Sequence, residues 1–343
     1  MPSLAVAEAL MVRNPDIKPV FFCSHRSDEL DILRSVGMKH VVIHAGKFPR
    51  GISPRILTFP ILFIVSFVES MIELLRPRPA LIVSKGGFVS APICLAGRLL
   101  GIPVILHSSD SVPSLSDRLI GRLAQRVCTG FPIDAFPPAL RSKAVQTGNP
   151  VRSMIAHASR AAGQRITGFS GKRPVVMIIG GSQGSVALNE SVDSHFEKLI
   201  DVADVIHVTG EGKGLKREHA RYFSRPSVLA ELPHLYALAD VIVTRAGAGV
   251  LSEIASLKKA AIVVPLRGVA HDHQQRNAEF LQGLGAVLLL PQEELADLMT
   301  ILRSLLSDGP RRAALGEALS TALPSRAASG IADVVLDALG QRS

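Results

Sequence analysis

Two glycine-rich stretches follow strongly apolar runs in the second half of the chain. One is GGSQG at 180–184, and the other is GAG at 247–249. Glycine permits positive φ and close backbone approach, while the free N–H groups and the dipole of a following helix attract phosphate. A single turn of this kind often serves only tight packing, but two in one domain predict a seat for a nucleoside diphosphate.

Polar side chains around these turns suggest how a nucleotide sugar would be held. Arg245, just before the second turn, offers a cation to a diphosphate, with a surface ion pair as the alternative. Glu253 would repel phosphate, so ribose hydroxyls are its expected partners; the alternative is a first-turn acid that complements the helix dipole. Gln274 and Asn277 supply neutral amides of the kind that bind sugar hydroxyls.

GGSQG also matches G-x-S-x-G, the nucleophile elbow of α/β hydrolases. Ser182 would then be the nucleophile, with Asp240 and either His271 or His273 completing a triad. This alternative leaves the second glycine turn unexplained. The same two histidines form an H-x-H pair, but without further clustered ligands such a pair is typical of a loop, so no metal or other cofactor is predicted.

Apolar, β-rich runs alternate with helical patterns along the whole chain. Because these runs are apolar on both faces, they predict strands of parallel sheets covered by helices, which is a doubly wound α/β architecture. The predicted strands are 19–23, 40–44, 80–84, 103–107, 126–130, 174–180, 204–210, 240–244, 260–265 and 286–290.

A polar stretch rich in small residues, 149–174, separates the two series of strands. With 343 residues the chain is long enough for two domains. The predicted first domain is 1–152 and the second is 153–325, with a terminal helix in 326–343 that packs back on the first domain. The chain opens on a helical pattern, so the strand and ligand loop that usually begin such a domain are not seen.

Composition restricts the partners and the compartment. A net charge of +9 predicts an anionic partner, whereas only 4% aromatic residues and no basic stretch with interleaved aromatics argue against nucleic acid. Cys23, Cys94 and Cys128 lie in apolar contexts without C-x-x-C spacing and are predicted to be buried, reduced residues. Together with an N-terminus unlike a signal peptide, they indicate a cytosolic protein.

The most apolar segment is 56–75, which Pro60, Glu69 and Glu73 interrupt. Its uncharged part is shorter than the roughly 18 to 20 residues that span a bilayer, so it is not expected to cross one. Two interpretations stay open: a buried helix under a loop, or an apolar patch on an anionic membrane surface. The second draws on the flanking arginines, Arg50, Arg55, Arg76 and Arg78.

Taken together, the motifs resemble the MurG family of GT-B glycosyltransferases over nearly the whole chain. The matching motifs, in family order, are GG-[FY]-VS-x-P at 86–92, H-x-x-x-x-V-x-x-L-x-x-R at 107–118, TGNPVR at 147–152, GGSQG-x-x-x-LN at 180–189, TRAGA-x-x-x-SE at 244–253 and HQ-x-x-NA at 273–278. The resemblance implies a GT-B fold, with two Rossmann-like doubly wound domains facing a cleft and the first strand of the N-terminal domain missing.

The resemblance also implies an activity. It is an inverting transfer of N-acetylglucosamine from UDP-N-acetylglucosamine to undecaprenyl-linked lipid I, which forms lipid II for peptidoglycan and hence for cell-wall biogenesis, cell shape and division. The expected location is peripheral, on the cytoplasmic face of the plasma membrane, with the patch after Arg50 as the docking surface. The substrate-binding residues so implied are Asp110, Arg152, Ser182, Leu229, Arg245, Ala248, Gly249, Val250, Leu251, Ser252, Glu253, Gln274 and Asn277.

Two departures from the family pattern affect the first domain. The family's glycine-rich, histidine-bearing loop would precede Met1, so the catalytic base stays unassigned. Either the true start lies upstream, or the chain is a weakly active or non-catalytic UDP-sugar-binding homologue. In addition, HSSD at 107–110 places Asp110 where the family has an amide that contacts the donor, and an acid beside a diphosphate is unfavourable unless it is protonated or turned away.

Overall fold

The computed structural model describes residues 2–24, 28–44, 55–76, 78–181, 184–268 and 272–340. The chain forms two compact units, Met1–Pro150 with Arg326–Ser343, and Val151–Ser325. The first unit is therefore discontinuous in sequence, and the second is inserted within it.

Every sheet pairing between the described strands is parallel. In the first unit the hydrogen-bonded orders are β1-β2 and β3-β4-β5-β6, and in the second unit the order is β12-β11-β10-β7-β8-β9. The strands are β1 (Phe21–Ser24), β2 (His40–Ile43), β3 (Ile82–Ser84), β4 (Val104–Ser108), β5 (Arg126–Thr129), β6 (Ala144–Gln146), β7 (Val175–Ile179), β8 (Asp204–Val208), β9 (Tyr222–Arg225), β10 (Val241–Thr244), β11 (Ala260–Val263) and β12 (Leu288–Leu289).

Helices connect these strands, as parallel pairing requires. They are α1 (Pro2–Arg13), α2 (Asp28–Ser35), α3 (Arg55–Leu75), α4 (Ser90–Leu99), α5 (Leu115–Leu123), α6 (Pro138–Arg141), α7 (Arg160–Thr167), α8 (Val186–Ser194), α9 (Phe196–Val202), α10 (Leu232–Leu238), α11 (Ala248–Ser256), α12 (His273–Gly283), α13 (Leu298–Ser307), α14 (Gly309–Ala322) and α15 (Ala327–Gly340).

The second unit is built around fully buried strands. All the residues of β7, β8, β10 and β11 are buried, because helices cover both faces of a parallel sheet. One continuous apolar core joins these strands to α8, α9 and α13. This packing fixes the ends of the strands, where the connecting loops begin.

In the first unit, the last helix of the chain completes the core. Ile331 and Val335 of α15 pack with Val6 and Leu10 of α1 and with Ile105 of β4. Arg13 at the end of α1 also forms an ion pair with Asp333 of α15. The two ends of the chain thus cover the same face of this sheet.

Helix α3 is half buried and half exposed. Leu74 and the partly buried Phe67 and Met71 pack toward α4 and β2, and Glu69 accepts hydrogen bonds from the backbone and ring of His44. Its other side exposes a row of aliphatic side chains, Ile61, Leu62, Ile64, Val65, Val68 and Ile72. The patch formed by these six residues is called the α3 patch below.

Among the described residues, one helix is long and apolar enough to cross a membrane. Its window, Thr58–Leu75, has 18 residues and a mean hydropathy of 1.8, and 17% of the window is buried. By length and composition alone, therefore, the segment could cross a membrane, contrary to the expectation from the sequence. The packing of α3 on α4 and the Glu69–His44 contact are features of a helix that belongs to the sheet-covering layer.

Candidate functional site

The two glycine turns emerge side by side from the second sheet. β7 and β10 are parallel neighbours, and their last residues, Ile179 and Thr244, are in register. From β7 the chain continues through β8 to β9 on one side, and from β10 it continues through β11 to β12 on the other. The turns after β7 and β10 therefore lie at a topological switch point, where ligands of open α/β sheets bind.

The turn after β7 requires glycine at two positions for steric reasons. A Cβ on Gly180 would lie 2.4 Å from the backbone nitrogen of Ser185, and one on Gly184 would lie 2.1 Å from the carbonyl oxygen of Thr209. Gly181 has φ +86° with open space beside it. Ser182 itself lies outside the described residues, so its expected phosphate contact stays a proposal.

Beneath this turn is a buried hydrogen-bond network. Asn189 Nδ2 donates to the carbonyls of Thr209 and Lys213, both at 3.0 Å. Both N–H groups of Asn189 have carbonyl acceptors, so its Oδ1 accepts a hydrogen bond from His207 Nε2 at 3.0 Å. Because His207 Nε2 carries the proton, His207 Nδ1 accepts a hydrogen bond from the Tyr222 hydroxyl at 2.8 Å. Burial lowers the pKa of His207 to about 4, so the ring is neutral at pH 7.

The turn after β10 leads into a helix without a side-chain cap. Gly247 is the N-cap residue of α11 and makes no side-chain cap hydrogen bond, which leaves the first N–H groups of the helix for another acceptor. Gly249 is exposed and Val250 is partly exposed. Leu251 and Ser252 are buried, and the Ser252 hydroxyl donates to the carbonyl of Ala248 at 2.8 Å, so these two support the helix from inside.

Arg245 is buried beneath the turns, not displayed on the surface. Its guanidinium donates to Ser185 Oγ at 2.6 Å, to Gln292 Oε1 at 2.7 Å and to the carbonyls of Val264 and Pro265 at 3.1 and 3.4 Å. Burial lowers its pKa. The expected cation is thus present at the switch point, but its hydrogen bonds tie three loops together.

Arg152 and Glu253 form a bidentate ion pair. Arg152 Nε lies 2.6 Å from Oε1, and Nη2 lies 2.8 Å from Oε2. The contact with Glu253 raises the pKa of Arg152. Glu253 is not in the first turn of α11, so the alternative of a helix-dipole partner does not apply. The structure thus joins two residues that the sequence assigned separately to the sugar nucleotide.

The other residues of this unit that are expected to bind the UDP sugar differ in accessibility. Leu229 is 70% exposed. Gln274 is partly exposed, and its Oε1 accepts from the backbone N–H of Leu266 at 3.2 Å. Asn277 is fully buried and donates to the carbonyl of Ala246 at 3.1 Å. Asn277 therefore supports the second turn from below.

The hydrolase alternative is incompatible with the position of Asp240. This residue immediately precedes β10, accepts from the backbone N–H of Val175 at 2.8 Å and pairs with Arg160 at 3.0 Å. Val175 is the first residue of β7, whereas Gly181 follows its end, so the length of the strand, about 16 Å, separates Asp240 from the glycine turn. Asp240 therefore lies at the opposite end of β7 from the glycine turn, which argues against the hydrolase alternative.

Loops at the carboxyl edge of the first unit's sheet are joined by a serine-rich network. Asp117 Oδ2 accepts from the Ser108 hydroxyl at 3.3 Å, and Ser116 Oγ accepts from the N–H of Gly87 at 3.2 Å. A Cβ on Gly86, which has φ +74°, would lie 1.9 Å from Asp117 Oδ1. Burial raises the pKa of Asp117. The turns after β3 and β4 are therefore held in fixed contact.

Asp110 lies on the turn after β4 and is partly exposed. Its charge is one of the influences that raise the pKa of Asp117, after burial. His107, in β4, is buried and donates from Nε2 to the carbonyl of Gly148 at 3.0 Å. Burial lowers the pKa of His107 to about 4, so it is a neutral structural side chain at pH 7.

The sequence analysis did not single out three contributors to the site. Ser185 caps α8, and its hydroxyl oxygen accepts a hydrogen bond from Arg245. Gln292 accepts a hydrogen bond from the same guanidinium. Tyr236 lies within electrostatic range of Arg152 and Glu253. Ser185 stands at the start of a helical pattern, which is a recognisable N-cap signal. Gln292 and Tyr236 approach the site only through the tertiary fold.

Family models match almost the whole chain. The "Glycosyltransferase family 28 N-terminal domain" matches residues 1–129, and the "Glycosyltransferase family 28 C-terminal domain" matches residues 175–330. Both domains of the family are therefore represented, in the family's order.

Curated relatives share about a third of the sequence. A UDP-N-acetylglucosamine–N-acetylmuramyl-(pentapeptide) pyrophosphoryl-undecaprenol N-acetylglucosamine transferase of Xylella fastidiosa is 35% identical over 348 residues, covering 98% of this chain and 92% of that protein. A transferase of the same name from Clostridium kluyveri is 32% identical over 297 residues, covering 86% and 83%.

Solved structures show the same fold. Acinetobacter baumannii MurG superposes with a TM-score of 0.77 at 23% identity, covering 98% of this chain and 95% of that one. The UDP-GlcNAc 2-epimerase of Neisseria meningitidis, solved with UDP-GlcNAc bound, gives 0.68 at 14% identity, covering 98% of both chains. From the sequence relatives, both family domains and this shared fold, the chain belongs to the MurG family of GT-B glycosyltransferases, within glycosyltransferase family 28.

Proposed function

We propose that this enzyme transfers N-acetylglucosamine from UDP-N-acetylglucosamine to the lipid-linked N-acetylmuramyl-pentapeptide acceptor, forming lipid II. The observation that carries the proposal is the pair of glycine turns after β7 and β10, which emerge side by side at the switch point of the second sheet. The names of the sequence relatives supply the donor and acceptor. Two adjacent phosphate-binding turns suit the diphosphate of a UDP sugar.

The donor would lie across the two turns. The uncapped start of α11, at Ala248, Gly249 and Val250, would receive one phosphate, and the turn at 180–184 would receive the other. Glu253 would accept hydrogen bonds from the ribose hydroxyls, and the exposed side chain of Leu229 would pack against the uracil. The Nε2 group of Gln274 would donate to the sugar.

Transfer would invert the anomeric carbon. The C4 hydroxyl of the acceptor attacks that carbon and gives its proton to the general base, which stays unassigned, while the bond to the β-phosphate oxygen breaks and UDP leaves carrying the negative charge. Backbone N–H groups of the two turns and of the start of α11 would stabilise this charge without reorganisation. The buried Arg245 would add a fixed positive charge beneath the turns.

Nucleotide binding tests the two phosphate seats directly. Calorimetric titration should show that UDP binds more tightly than UMP by about tenfold or more, since UMP leaves one seat empty. Glu253→Ala should weaken UDP binding, whereas Arg217→Ala, at an exposed ion pair with Asp193, should not. Equal affinity for UDP and UMP would contradict the two-seat site. Formation of lipid II from labelled donor and lipid-linked acceptor then tests the transfer itself.

A peripheral position on an anionic membrane surface is also proposed. The α3 patch exposes six aliphatic side chains, including Ile61 at 64% and Ile64 at 60%. Arg76 and Arg78 are exposed near the end of the helix, and the chain carries a net charge of +9. An apolar face bordered by arginines binds anionic lipid through burial and charge together. Arg50 lies outside the described residues.

Vesicle flotation tests this surface. The protein should float with vesicles containing phosphatidylglycerol and should bind vesicles of phosphatidylcholine much less. Ile61→Ser combined with Ile64→Ser should abolish flotation while UDP binding is kept. Leu284→Ser, which changes an equally apolar residue that is 50% exposed in the second unit, is the matched control and should float normally. Flotation of the double variant at the wild-type level would exclude the α3 patch as the membrane contact.

A further inference from the structure

A buried hydroxyl lies near the Arg152–Glu253 pair without a hydrogen-bond partner. Tyr236, in α10, is fully buried, and its hydroxyl oxygen makes no hydrogen bond in the structure. Tyr222, by contrast, is hydrogen-bonded to His207 at 2.8 Å. Because leaving a buried hydroxyl unpaired costs free energy, such a group calls for a partner in another state of the protein.

Tyr236 lies close enough to interact electrostatically with both members of the ion pair. Burial raises the pKa of Tyr236, the charge of Glu253 raises it further, and the charge of Arg152 lowers it. The geometry agrees, because α10 packs against the 3-10 turn Ser153–His157 that Arg152 precedes.

In the structure the Glu253 carboxylate is held by Arg152. Each of its oxygens accepts a hydrogen bond from Arg152, and only 10% of the Glu253 side chain is exposed. Ribose hydroxyls bound to the same carboxylate would compete with the guanidinium. If Arg152 moved outward alone, a buried negative charge would remain with poor compensation, which is costly. The Arg152 side chain is 31% exposed and so has solvent to move into.

We propose that Tyr236 is a positioning residue for the sugar-nucleotide donor. When the ribose hydroxyls take the Glu253 carboxylate from Arg152, the Tyr236 hydroxyl donates a hydrogen bond to that carboxylate and holds its charge and orientation. The inference rests on the proposed function, since it assigns Glu253 to the ribose. It adds a residue whose hydroxyl donates a hydrogen bond to Glu253 when the donor is bound and makes no such bond otherwise.

Tyr236→Phe separates the two states. Because the hydroxyl has no partner in the free protein, the variant should unfold at the wild-type denaturant concentration or above it. Its affinity for UDP should fall by about tenfold, the usual contribution of one hydrogen bond to a charged group. The matched control for stability is Tyr222→Phe, which loses a hydrogen bond to His207 and should therefore be less stable than wild type without ligand.

Substrate analogues connect the effect to the ribose. Wild-type protein should prefer UDP to 2′-deoxy-UDP, and this preference should shrink in Tyr236→Phe, because both changes weaken the same carboxylate contact. Wild-type affinity and unchanged preference in Tyr236→Phe would overturn the inference. So would a loss of free-state stability as large as that of Tyr222→Phe. If wild-type protein failed to bind UDP at all, the proposed function itself would be contradicted.

Tyrosine emission gives an independent signal. The chain has no tryptophan and two tyrosines, so Tyr222→Phe leaves Tyr236 as the sole emitter. A phenol that donates to a carboxylate loses fluorescence, and saturating UDP should therefore quench this variant. Emission that UDP leaves unchanged would also overturn the proposal. A titration with UMP tests whether quenching follows occupancy of the ribose site alone.

Discussion

Arg152 and Glu253, 101 positions apart in the sequence, face each other in a bidentate ion pair with distances of 2.6 and 2.8 Å. Both are expected to serve the donor nucleotide, yet in the structure each is the other's partner. The pair joins the 3-10 turn after Arg152 to α11. Donor binding must work against this contact or share it.

The two members of the pair should differ in what their loss costs. Arg152→Met leaves the carboxylate of Glu253, 10% exposed, without its partner and should lower the free energy of unfolding by about 3 kcal/mol or more. Glu253→Gln leaves a guanidinium that can reach water, so a smaller loss of about 1 kcal/mol is expected. Urea denaturation without ligand measures both. An equal loss in the two variants would contradict this asymmetry.

Arg245→Lys should loosen the loops at the switch point. A lysine cannot reproduce the planar set of hydrogen bonds to Ser185, Gln292 and the carbonyl of Val264. We expect a loss of about 1–3 kcal/mol in unfolding free energy and a raised KM for the donor sugar. Arg217→Lys, at an ion pair 42% exposed on the arginine side, is the control and should change stability little.

The glycines of the first turn should not be equivalent. Gly184→Ala places a Cβ 2.1 Å from the Thr209 carbonyl oxygen and must displace backbone, so we expect a clear loss of thermal stability. Gly181→Ala meets no atom within 4 Å and carries only the strain of φ +86°, about 1 kcal/mol. Thermal melts of both variants decide the matter; a more damaging Gly181→Ala would show that the turn is arranged differently.

Acid should destabilise the protein through two buried histidines. Burial lowers the pKa of His107 and of His207 to about 4 from 6.5, so between these values the unfolded chain binds more protons than the folded one. Stability should therefore fall as the pH falls from 6.5 to 4, by on the order of 3 kcal/mol for each histidine.

His207→Gln isolates one of these contributions. The variant should be less stable than wild type at pH 7 and should lose less on acidification, so the two stability curves should converge toward pH 4. Leu284→Ser, at a 50% exposed position that does not titrate, should run parallel to wild type. Urea midpoints across the pH range provide the measurement. Parallel curves for His207→Gln would show that His207 is not the buried neutral group described above.

Much of the framework could be predicted from the sequence because parallel strands buried on both faces are continuous apolar runs. Runs such as PVVMIIG and DVIVT mark β7 and β10. The edge strand β9 was missed, since its four residues, YFSR, are two aromatic and two polar side chains and leave no continuous apolar run. β6 was missed for a similar reason, because its three residues, AVQ, form no apolar run and none of them is buried.

Side-chain roles were less predictable than the turns that carry them. Glycine and strand–helix order place the turns at 180–184 and 247–249. The burial of Arg245 and Asn277, however, depends on partners from other loops, such as Gln292 and the carbonyl of Ala246. Sequence spacing alone could not distinguish a side chain that touches a ligand from one that supports the backbone beneath it.

The packing of α15 on α1 bears on how the protein is made. The first unit needs Ile331 and Val335 to complete the core around Val6 and Leu10. On the ribosome, the inserted second unit, Val151–Ser325, emerges complete before α15 does. The residues of α1 that pack on α15 must therefore stay partly uncovered until α15 has been translated. Synthesis thus completes the inserted unit before it completes the unit that surrounds it.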